Sequence, residues 1–431
     1  MKKITVLLCI LARAMAAYSQ QQVQANDELK SLITQSFSYF PKVREAENNI
    51  AIAQDKLAIA EINNPTVDGL ASYRFVQPKV TIPIQSGSEV KDFQFFPVNN
   101  VNAEIDANYL VFDFGKLKAN VEKAKTELKY AEHNVDYIKN QLANQVATIY
   151  YNIVYLQKGM AIEDSVIAFL DENKRVISSK LANGDALKID LLNVQVNIDA
   201  EQNRRLDLKN SLDKQLNLLA YTTGLTSIKG LKFDFDVALH DAVSALSAAQ
   251  TNNLEYVLAR DRIQQAQQDL NIVQSANKPN LLLGANAGFK NGYVPNVNAV
   301  RFNYAAGVTF KIPIYDGGKV KQQTKLSESI IKQNQLSVQT LDNTFTKDIQ
   351  QALTDINSNI ERIKNTEGQI EQARIAEELS SSRFKNGAGT NLEITDASSN
   401  RKRAEFTRLQ YEYQLCVAKI ELAKLLGYQY W

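Results

Sequence analysis

Two halves of this chain repeat one another with the same spacing between matching residues. An interval of 71 residues runs from Asp113 to Gly184, and another runs from Asp316 to Gly387. In both halves a further glycine follows 40 residues later. An internal duplication of about 200 residues therefore organises the chain. Any fold proposed for this sequence must be built from two similar units.

The motifs at these landmarks match in kind as well as in spacing. An aromatic-Asp-x-Gly-Lys motif is followed in each half by an Asn-Gly pair, at Phe112-Asp113-Phe114-Gly115-Lys116 and Asn183-Gly184, then at Tyr315-Asp316-Gly317-Gly318-Lys319 and Asn386-Gly387. Glycine and asparagine tolerate the left-handed backbone that ends a helix, so each Asn-Gly pair predicts a helix-to-helix turn. Asp113, Gly115, Asp316 and Gly318 are expected at the junction between a strand and a helix.

The first residues have the pattern of a secretory signal peptide. A basic start is followed by an apolar run and then by small residues, which predicts a signal peptide over residues 1–19. Its removal takes Lys2, Lys3 and Arg13 from the 49 basic residues, leaving 46 against 47 acidic ones. This balance gives no reason to expect nucleic acid as a partner. Cys416 is then the only cysteine, which excludes an intrachain disulfide and a cysteine metal site.

Each repeat opens with a predicted helical segment that stops before a proline. The segments cover about residues 27–62 and 239–276, ahead of Pro65 and Pro279. Strands are predicted after each proline, at about 66–77 and 100–112 in the first repeat and at about 280–290 and 300–312 in the second. The stretches 77–100 and 290–300 are rich in proline and glycine and are interpreted as exposed turns.

These predicted strands alternate strictly between apolar and polar residues. In the returning strand of the first repeat, Val101 and Ile105 share one face, and Val111 continues it. Strands of about ten residues with aromatic side chains near their ends match membrane barrel strands. The charged residues of the polar face would line a water-filled lumen: Asp68, Arg74, Glu104, Asp106 and Arg301. Two hairpins packed on helices in a soluble α+β protein remain the alternative.

Long helices follow each hairpin of strands. Apolar residues from Leu117 to Leu142 step alternately by four and three residues, which is the seam of a coiled coil. The predicted helices span about 116–182 and 188–223 in repeat one, and about 319–385 and 391–426 in repeat two. Repeat one is placed at 20–224, the connector between repeats at 225–238 and repeat two at 239–431.

Four strands cannot close a barrel by themselves. An open sheet edge is not tolerated in hydrocarbon, because its backbone amides would lack hydrogen-bond partners. Oligomerisation is therefore required if the strands span a membrane. Two copies would supply eight strands, with an interior just filled by side chains, and three would supply twelve and leave an aqueous channel. The charged candidates on the polar face favour three copies.

Both halves have the same order of elements: helix, Asn-x-Pro, strand hairpin, Asp-Phe-Gly-Lys or Asp-Gly-Gly-Lys, long helix, Asn-Gly turn and return helix. This doubled order resembles the TolC-like outer-membrane efflux proteins. The resemblance covers nearly the whole chain after the signal peptide. It implies a membrane protein of mixed α and β structure, in which a trimeric, twelve-stranded β-barrel in the outer-membrane lipid is continued by an α-helical barrel. The connector would join an equatorial belt around this tunnel. The implied location is the outer membrane of a Gram-negative bacterium, with a large periplasmic extension.

The same resemblance implies that the two helix-to-helix turns form a periplasmic tip with an acidic entrance. Candidate gate residues lie six and nine residues beyond each turn glycine, namely Asp190, Asn193, Glu393 and Asp396. A ring of such carboxylates from three chains would favour cations and repel anions. The alternative is that Asp190 and Glu393 only open the return helices, because acidic residues are favoured in a first turn. The turns themselves, at Asn183-Gly184 and Asn386-Gly387, are expected to contact an adaptor.

No sequence pattern supports an enzyme. The chain has only two histidines, His133 and His240, and it lacks a nucleophile elbow, a phosphate loop and a metal-binding cluster. No cofactor is expected. The predicted function is a passive exit duct that works with a periplasmic adaptor and an inner-membrane pump of the RND or ABC type. The alternative is a periplasmic coiled-coil adaptor, which is not itself a channel.

Overall fold

The computed structural model describes residues 23–431, which form two compact units. The first unit contains residues 23–49, 131–260 and 336–431, and the second contains residues 50–130 and 261–335. The predicted signal peptide, residues 1–19, lies outside the described residues. Both repeats contribute to both units, so the duplication does not divide the chain into two separate domains.

Helices make up most of the described chain. In chain order they are α1 (Asp27–Tyr39), α2 (Pro41–Glu61), α3 (Lys116–Ala182), α4 (Lys188–Thr223), α5 (Ala242–Asn252), α6 (Leu254–Ser275), α7 (Lys319–Lys385) and α8 (Asn391–Leu426). Among residues 23–431, no helix is both long enough and apolar enough to cross a bilayer.

The strands form three small antiparallel sheets. In chain order they are β1 (Val23–Gln24), β2 (Thr66–Phe75), β3 (Thr81–Ser86), β4 (Glu89–Gln94), β5 (Asn99–Phe112), β6 (Asp236–Val237), β7 (Asn280–Lys290) and β8 (Arg301–Lys311). The largest sheet has the order β2-β5-β7-β8, so the pairing of β5 with β7 joins the two repeats. β3 pairs with β4, and β1 pairs with β6.

The long helices begin and end where the repeated motifs lie. α3 and α7 are both 67 residues long, and α4 and α8 are both 36 residues long. The predicted seam residues of α3 are all buried or half-buried, because successive steps of four and three keep them on one side of the helix. Gly224 and Gly427 end the return helices in left-handed conformation, with φ of 78° and 71°.

The core of the first unit is built from both repeats. Its fully buried side chains include Tyr150 and Tyr151 of α3, Ile349 of α7 and Leu426 of α8. The connector closes onto this core, where Glu28 of α1 accepts hydrogen bonds from the Tyr150 hydroxyl at 3.0 Å and from the backbone of residues 229 and 230.

Two sequence-based expectations require correction, and the connector holds a strand that was not predicted. The opening helical segments are each divided in two, at Phe40 before Pro41 and at Asn253, because proline cannot continue the helix ladder and the Asn253 side chain caps α6 through Glu255 N–H. The stretch 77–100 is not only a turn, since it contains the β3–β4 hairpin. The connector likewise contains a strand, β6, which pairs with β1.

The alternation of β5 also differs near its end. Leu110 pairs with Leu282 and Phe112 pairs with Leu281, so Val111 has no partner in the ladder. Such a bulge inserts one extra residue and shifts the alternation by one position. Phe112 therefore takes the paired position that the sequence pattern had assigned to Val111.

Candidate functional site

The four-stranded sheet has one apolar and one polar face, and both are exposed in the chain. Tyr304 is 79% exposed, and Val67 and Val308 are also largely exposed on the apolar face. Directly paired residues of an antiparallel sheet share a face. A large apolar face that is not packed on helices argues against the soluble α+β alternative, because exposed apolar patches of this kind mark contact with a membrane or another protein.

The charged residues predicted for the lumen share the opposite face. Asp68 pairs with Asp106, Asp106 pairs in turn with Asn286, and Glu104 lies two residues earlier on the same strand. Arg74 and Arg301 lie on this face at the end of the sheet that leads into the β2–β5 and β7–β8 connections. The structure therefore brings all five residues onto one polar surface.

The strand-to-helix junctions are built alike in the two repeats. The Asp113 carboxylate accepts hydrogen bonds from the N–H groups of Gly115 at 3.0 Å and Leu117 at 2.5 Å. Asp316 does the same with Gly318 at 2.9 Å and Val320 at 2.7 Å. These aspartates satisfy N–H groups that the first turn of a helix leaves without partners.

The Asp316 junction has an additional donor. Hydrogen bonds from the Val320 N–H and, to a smaller extent, from the Asn277 side-chain amide hold the pKa of Asp316 below its usual value. The carboxylate therefore stays ionised and keeps accepting from the start of α7 at neutral pH. The junction residues act as helix caps.

The two helix-to-helix turns also share one geometry. Gly184 and Gly387 have φ of 84° and 76°, in the left-handed region that favours glycine. The residue after each glycine donates to the carbonyl five positions earlier, from Asp185 N–H to Lys180 O and from Ala388 N–H to Arg383 O, both at 2.8 Å. This pattern satisfies carbonyls at the end of the preceding helix and fixes the reversal of the chain.

The predicted gate residues have different roles at the start of the return helices. Asp190 accepts a hydrogen bond from the Leu187 N–H at 3.2 Å, so it helps to cap α4. Glu393 lies 3.5 Å from the Arg383 guanidinium, while the Thr390 hydroxyl accepts from its N–H. Asn193 and Asp396 are both exposed. The capping role of Asp190 is compatible with a place at an entrance.

A buried asparagine pair links the two repeats near these turns, and sequence reasoning missed it. The Asn173 amide of α3 donates to the Asn391 side-chain oxygen of α8 at 3.0 Å, and both residues are buried. The Asn391 amide in turn lies 3.5 Å from the backbone oxygen of Asp190. Continuing the alternating steps of four and three from Leu142 along α3 leads to Asn173, so the seam itself carried the signal.

The same continuation of the seam leads to Glu163, a second buried polar residue of α3. It meets Glu201 of α4 and Lys402 of α8 in a cluster of charged residues. None of these three residues was predicted from the sequence as a site residue. Within residues 23–431, no group of three or more His, Cys, Asp or Glu side chains is placed to hold a metal ion.

Comparisons with known proteins agree with this architecture. The profile of the outer membrane efflux protein family matches residues 78–225 and 245–428. The chain is 23% identical to nodulation protein T of Rhizobium leguminosarum bv. trifolii over 417 residues, covering 93% of this chain and 86% of that protein. It is 21% identical to the outer membrane protein TolC of Vibrio cholerae over 314 residues, covering 70% of this chain and 72% of that protein.

Solved structures share the fold. The crystal structure of the outer membrane protein VceC from Vibrio cholerae superposes with a TM-score of 0.74 at 20% identity, covering 93% of this chain and 96% of that one. The family profile covers most of the sequence and includes both repeats. The chain therefore belongs to the outer membrane efflux protein family.

Proposed function

We propose that this protein is a passive outer-membrane exit channel, continued by a periplasmic tunnel, for substrates delivered by an inner-membrane transporter. The observation that carries this proposal is the four-stranded antiparallel sheet, with its exposed apolar face, its charged opposite face and two edges that have no partner strand among residues 23–431. The apolar face suits lipid and the charged face suits water, which is the arrangement of a barrel strand.

The order of the strands supports the proposed closure of a ring. Because all neighbours in β2-β5-β7-β8 are antiparallel, the edge strands β2 and β8 run in opposite directions. Strand β8 of one copy can therefore pair in antiparallel fashion with β2 of the next copy. Three copies give a twelve-stranded barrel with room for water, and pairing around the ring satisfies every edge amide.

The helices supply the proposed tunnel, and the turns supply its proposed periplasmic entrance. Three copies of the Gly184 and Gly387 turns would surround the axis, with Glu393 and Asp396 adding negative charge. The turns would meet a periplasmic adaptor that connects the channel to the pump. The family to which the chain belongs supports this role, because its members are described as outer membrane efflux proteins.

The test is the ion current through the purified protein in planar bilayers. Wild-type protein should insert and conduct, and the double variant Glu393→Gln with Asp396→Asn should conduct more or lose block by cations. Neutralising the carboxylates removes the negative ring that binds cations at the constriction. Asp207→Asn, an exposed acidic residue of α4 away from the turn, is the matched control.

Two results would contradict the proposal at different levels. Recovery of the protein as a monomer, without detergent, would favour the periplasmic adaptor and reject the channel. A conducting protein whose current and cation block do not respond to the double variant would keep the channel but reject those two residues as its constriction.

A further inference from the structure

Three helices from both repeats meet around Glu163. Gly159, one turn earlier on α3, lies against Leu208 of α4 and Phe406 of α8, so tightly that an added methyl group would be 3.3 Å from the Phe406 ring. Glu163 itself is only 2% exposed. A side chain at this position can therefore couple α3 to both α4 and α8.

The contacts of Glu163 are those of an acid that holds a proton. The packing that pairs Asp164 of α3 with Arg205 of α4 and sets Gly159 against Leu208 brings Glu163 beside the Glu201 carboxyl. Two carboxyl groups in contact can share a hydrogen bond only if one of them carries a proton. The Oε2 atom of Glu163 is buried and has no hydrogen-bond partner among the described residues. An ionised carboxylate with a bare oxygen would be costly at this place, whereas the neutral acid is tolerated.

Glu201 carries the negative charge of the pair. Lys402 of α8 lies 2.6 Å from its Oε2, and Arg204 of α4 lies 2.7 Å from its Oε1. Burial pushes the pKa of Glu201 upward, but Lys402 and the hydrogen bonds from Glu163 and Arg204 outweigh it and hold this pKa below the usual value. Burial first, and then the hydrogen bond to Glu201, raise the pKa of Glu163 to about 7.

We propose that the Glu163–Glu201 pair is a proton-binding site, in which a single proton locks α3 to α4 and α8 and its release loosens their contact. With the proton bound, Glu163 donates to Glu201, which in turn holds Lys402. Without the proton, two carboxylates face each other in a buried contact and repel. Glu201 can then no longer bind both Glu163 and Lys402.

The other charged groups around this contact are already engaged. Arg205 of α4 pairs with Asp164 of α3, next to Glu163 in the sequence. Arg401 of α8 is 2.6 Å from Glu377 of α7 and also binds Glu405. Lys402 and Arg204 are therefore the cations that act on Glu163, and both favour its ionised form.

The raised pKa of Glu163 determines how the stability of the fold depends on pH. Its pKa rises from an ordinary 4.5 to about 7 on folding, so the folded chain binds this proton more tightly than the unfolded chain. The stabilisation is complete below the unfolded value and is lost as the pH rises through about 7. The lowered pKa of Glu201 acts with the opposite sign, but only in the acid range below the ordinary value.

The experiment compares the wild type with Glu163→Gln, both purified in detergent as the full-length assembly. Infrared difference spectra between about pH 6 and pH 8.5 should show a buried, protonated carboxylic acid in the wild type, and this absorption should be absent from the variant. The thermal midpoint of the wild type should fall across this range. The variant, which imitates the protonated acid, should lose this fall. Asp171→Asn, exposed on the same helix, should behave as the wild type.

A second variant tests the charge balance. Lys402→Met removes a cation that favours ionised Glu163, so the titration of the pair should move to higher pH. The proposal is overturned if the acid absorption survives in Glu163→Gln, or if this variant keeps the wild-type dependence on pH. If Glu163→Gln does not fold, a wild-type spectrum without an acid that titrates in this range overturns it as well.

Discussion

At the scale of single residues, the two repeats differ at two buried polar positions of α3. A shift of 203 residues places Thr366 where the first repeat has Glu163, and Ala376 where it has Asn173. The Thr366 hydroxyl donates to its own helix, at Ile363 O, and needs no partner from another helix. At these two positions the second repeat therefore lacks the polar contacts between helices that Glu163 and Asn173 make in the first.

Close packing of a single glycine gives a prediction at this scale. A methyl group at Gly230 would lie 1.8 Å from the hydroxyl of Tyr150, whose side chain is fully buried and cannot move aside. We expect Gly230→Ala to destabilise the protein by about 1–3 kcal/mol, as overpacked cores do. The shift of the denaturant midpoint measures this loss.

The matched control is Gly368→Ala in α7, where no atom lies within 4 Å of the added methyl group. Alanine is the better helix former, so this variant should be equal to or more stable than the wild type by up to about 1 kcal/mol. If both substitutions changed stability equally, the contact with Tyr150 would not restrict the size of the side chain at residue 230.

At the scale of elements, the turns between long helices combine local and non-local bonds. The reversals at Gly184 and Gly387 are made by backbone hydrogen bonds within each turn. What joins one turn to the other is the Asn173–Asn391 bond and a small apolar cluster that includes Ile177, Val194 and Ile394. The turns are thus locally determined, but their association depends on a few buried side chains.

A double-mutant cycle tests this association. Asn391→Ala leaves the buried amide of Asn173 without its acceptor, at an expected cost of about 1–3 kcal/mol. The double variant Asn173→Ala with Asn391→Ala should lose much less stability than the sum of the two single variants, because it no longer contains the unsatisfied amide. Denaturant unfolding gives the three free energies.

The exposed ion pair Arg383–Glu393 lies in the same region and gives a weak contact for comparison with the buried asparagine pair. Solvent-exposed ion pairs contribute about 0–1 kcal/mol to stability. Strict additivity of the two asparagine changes would mean that the buried hydrogen bond does not couple the repeats.

At the scale of the whole molecule, the outer edges of β2 and β8 have no partner strand among residues 23–431, and the proposed ring of copies would pair them. Successive residues of an antiparallel strand direct their N–H groups to alternate sides. Ala71 and Ser72 of β2 lie opposite Ala103 and Asn102 of β5. One of these two residues therefore directs its N–H group toward β5, and the other directs its N–H group away from the sheet.

Proline at either position removes one N–H group. In the proposed ring both Ala71→Pro and Ser72→Pro should weaken the assembly, because both sides of β2 are paired. In an isolated sheet only one of them would lose a hydrogen bond. Light scattering after size-exclusion chromatography, with increasing denaturing detergent, measures the stability of the assembly. One variant that assembles as stably as the wild type would show that the edge of β2 is not paired.

The ends of the long helices could be predicted because their signals are local. Asn-Gly pairs, capping aspartates and prolines act on the backbone within a few residues, and the doubled spacing showed each signal twice. The polar face of the sheet was predictable for a similar reason, since a period of two assigns Asp106 and Glu104 to one side. The β3–β4 hairpin was missed, because the prolines and glycine of the stretch 77–100 indicated turns more strongly than the short alternation indicated strands.

By itself the sequence determined the duplication, the long helices, the turns and the two faces of the strands, because each depends on contacts close along the chain. The tertiary structure alone decided that β5 pairs with β7, that a bulge at Val111 shifts the alternation, and that Glu163 becomes a buried acid. These outcomes depend on which distant segments meet. The pKa of a helical glutamate rises when other helices exclude water from it, and a second carboxyl beside it adds to that rise.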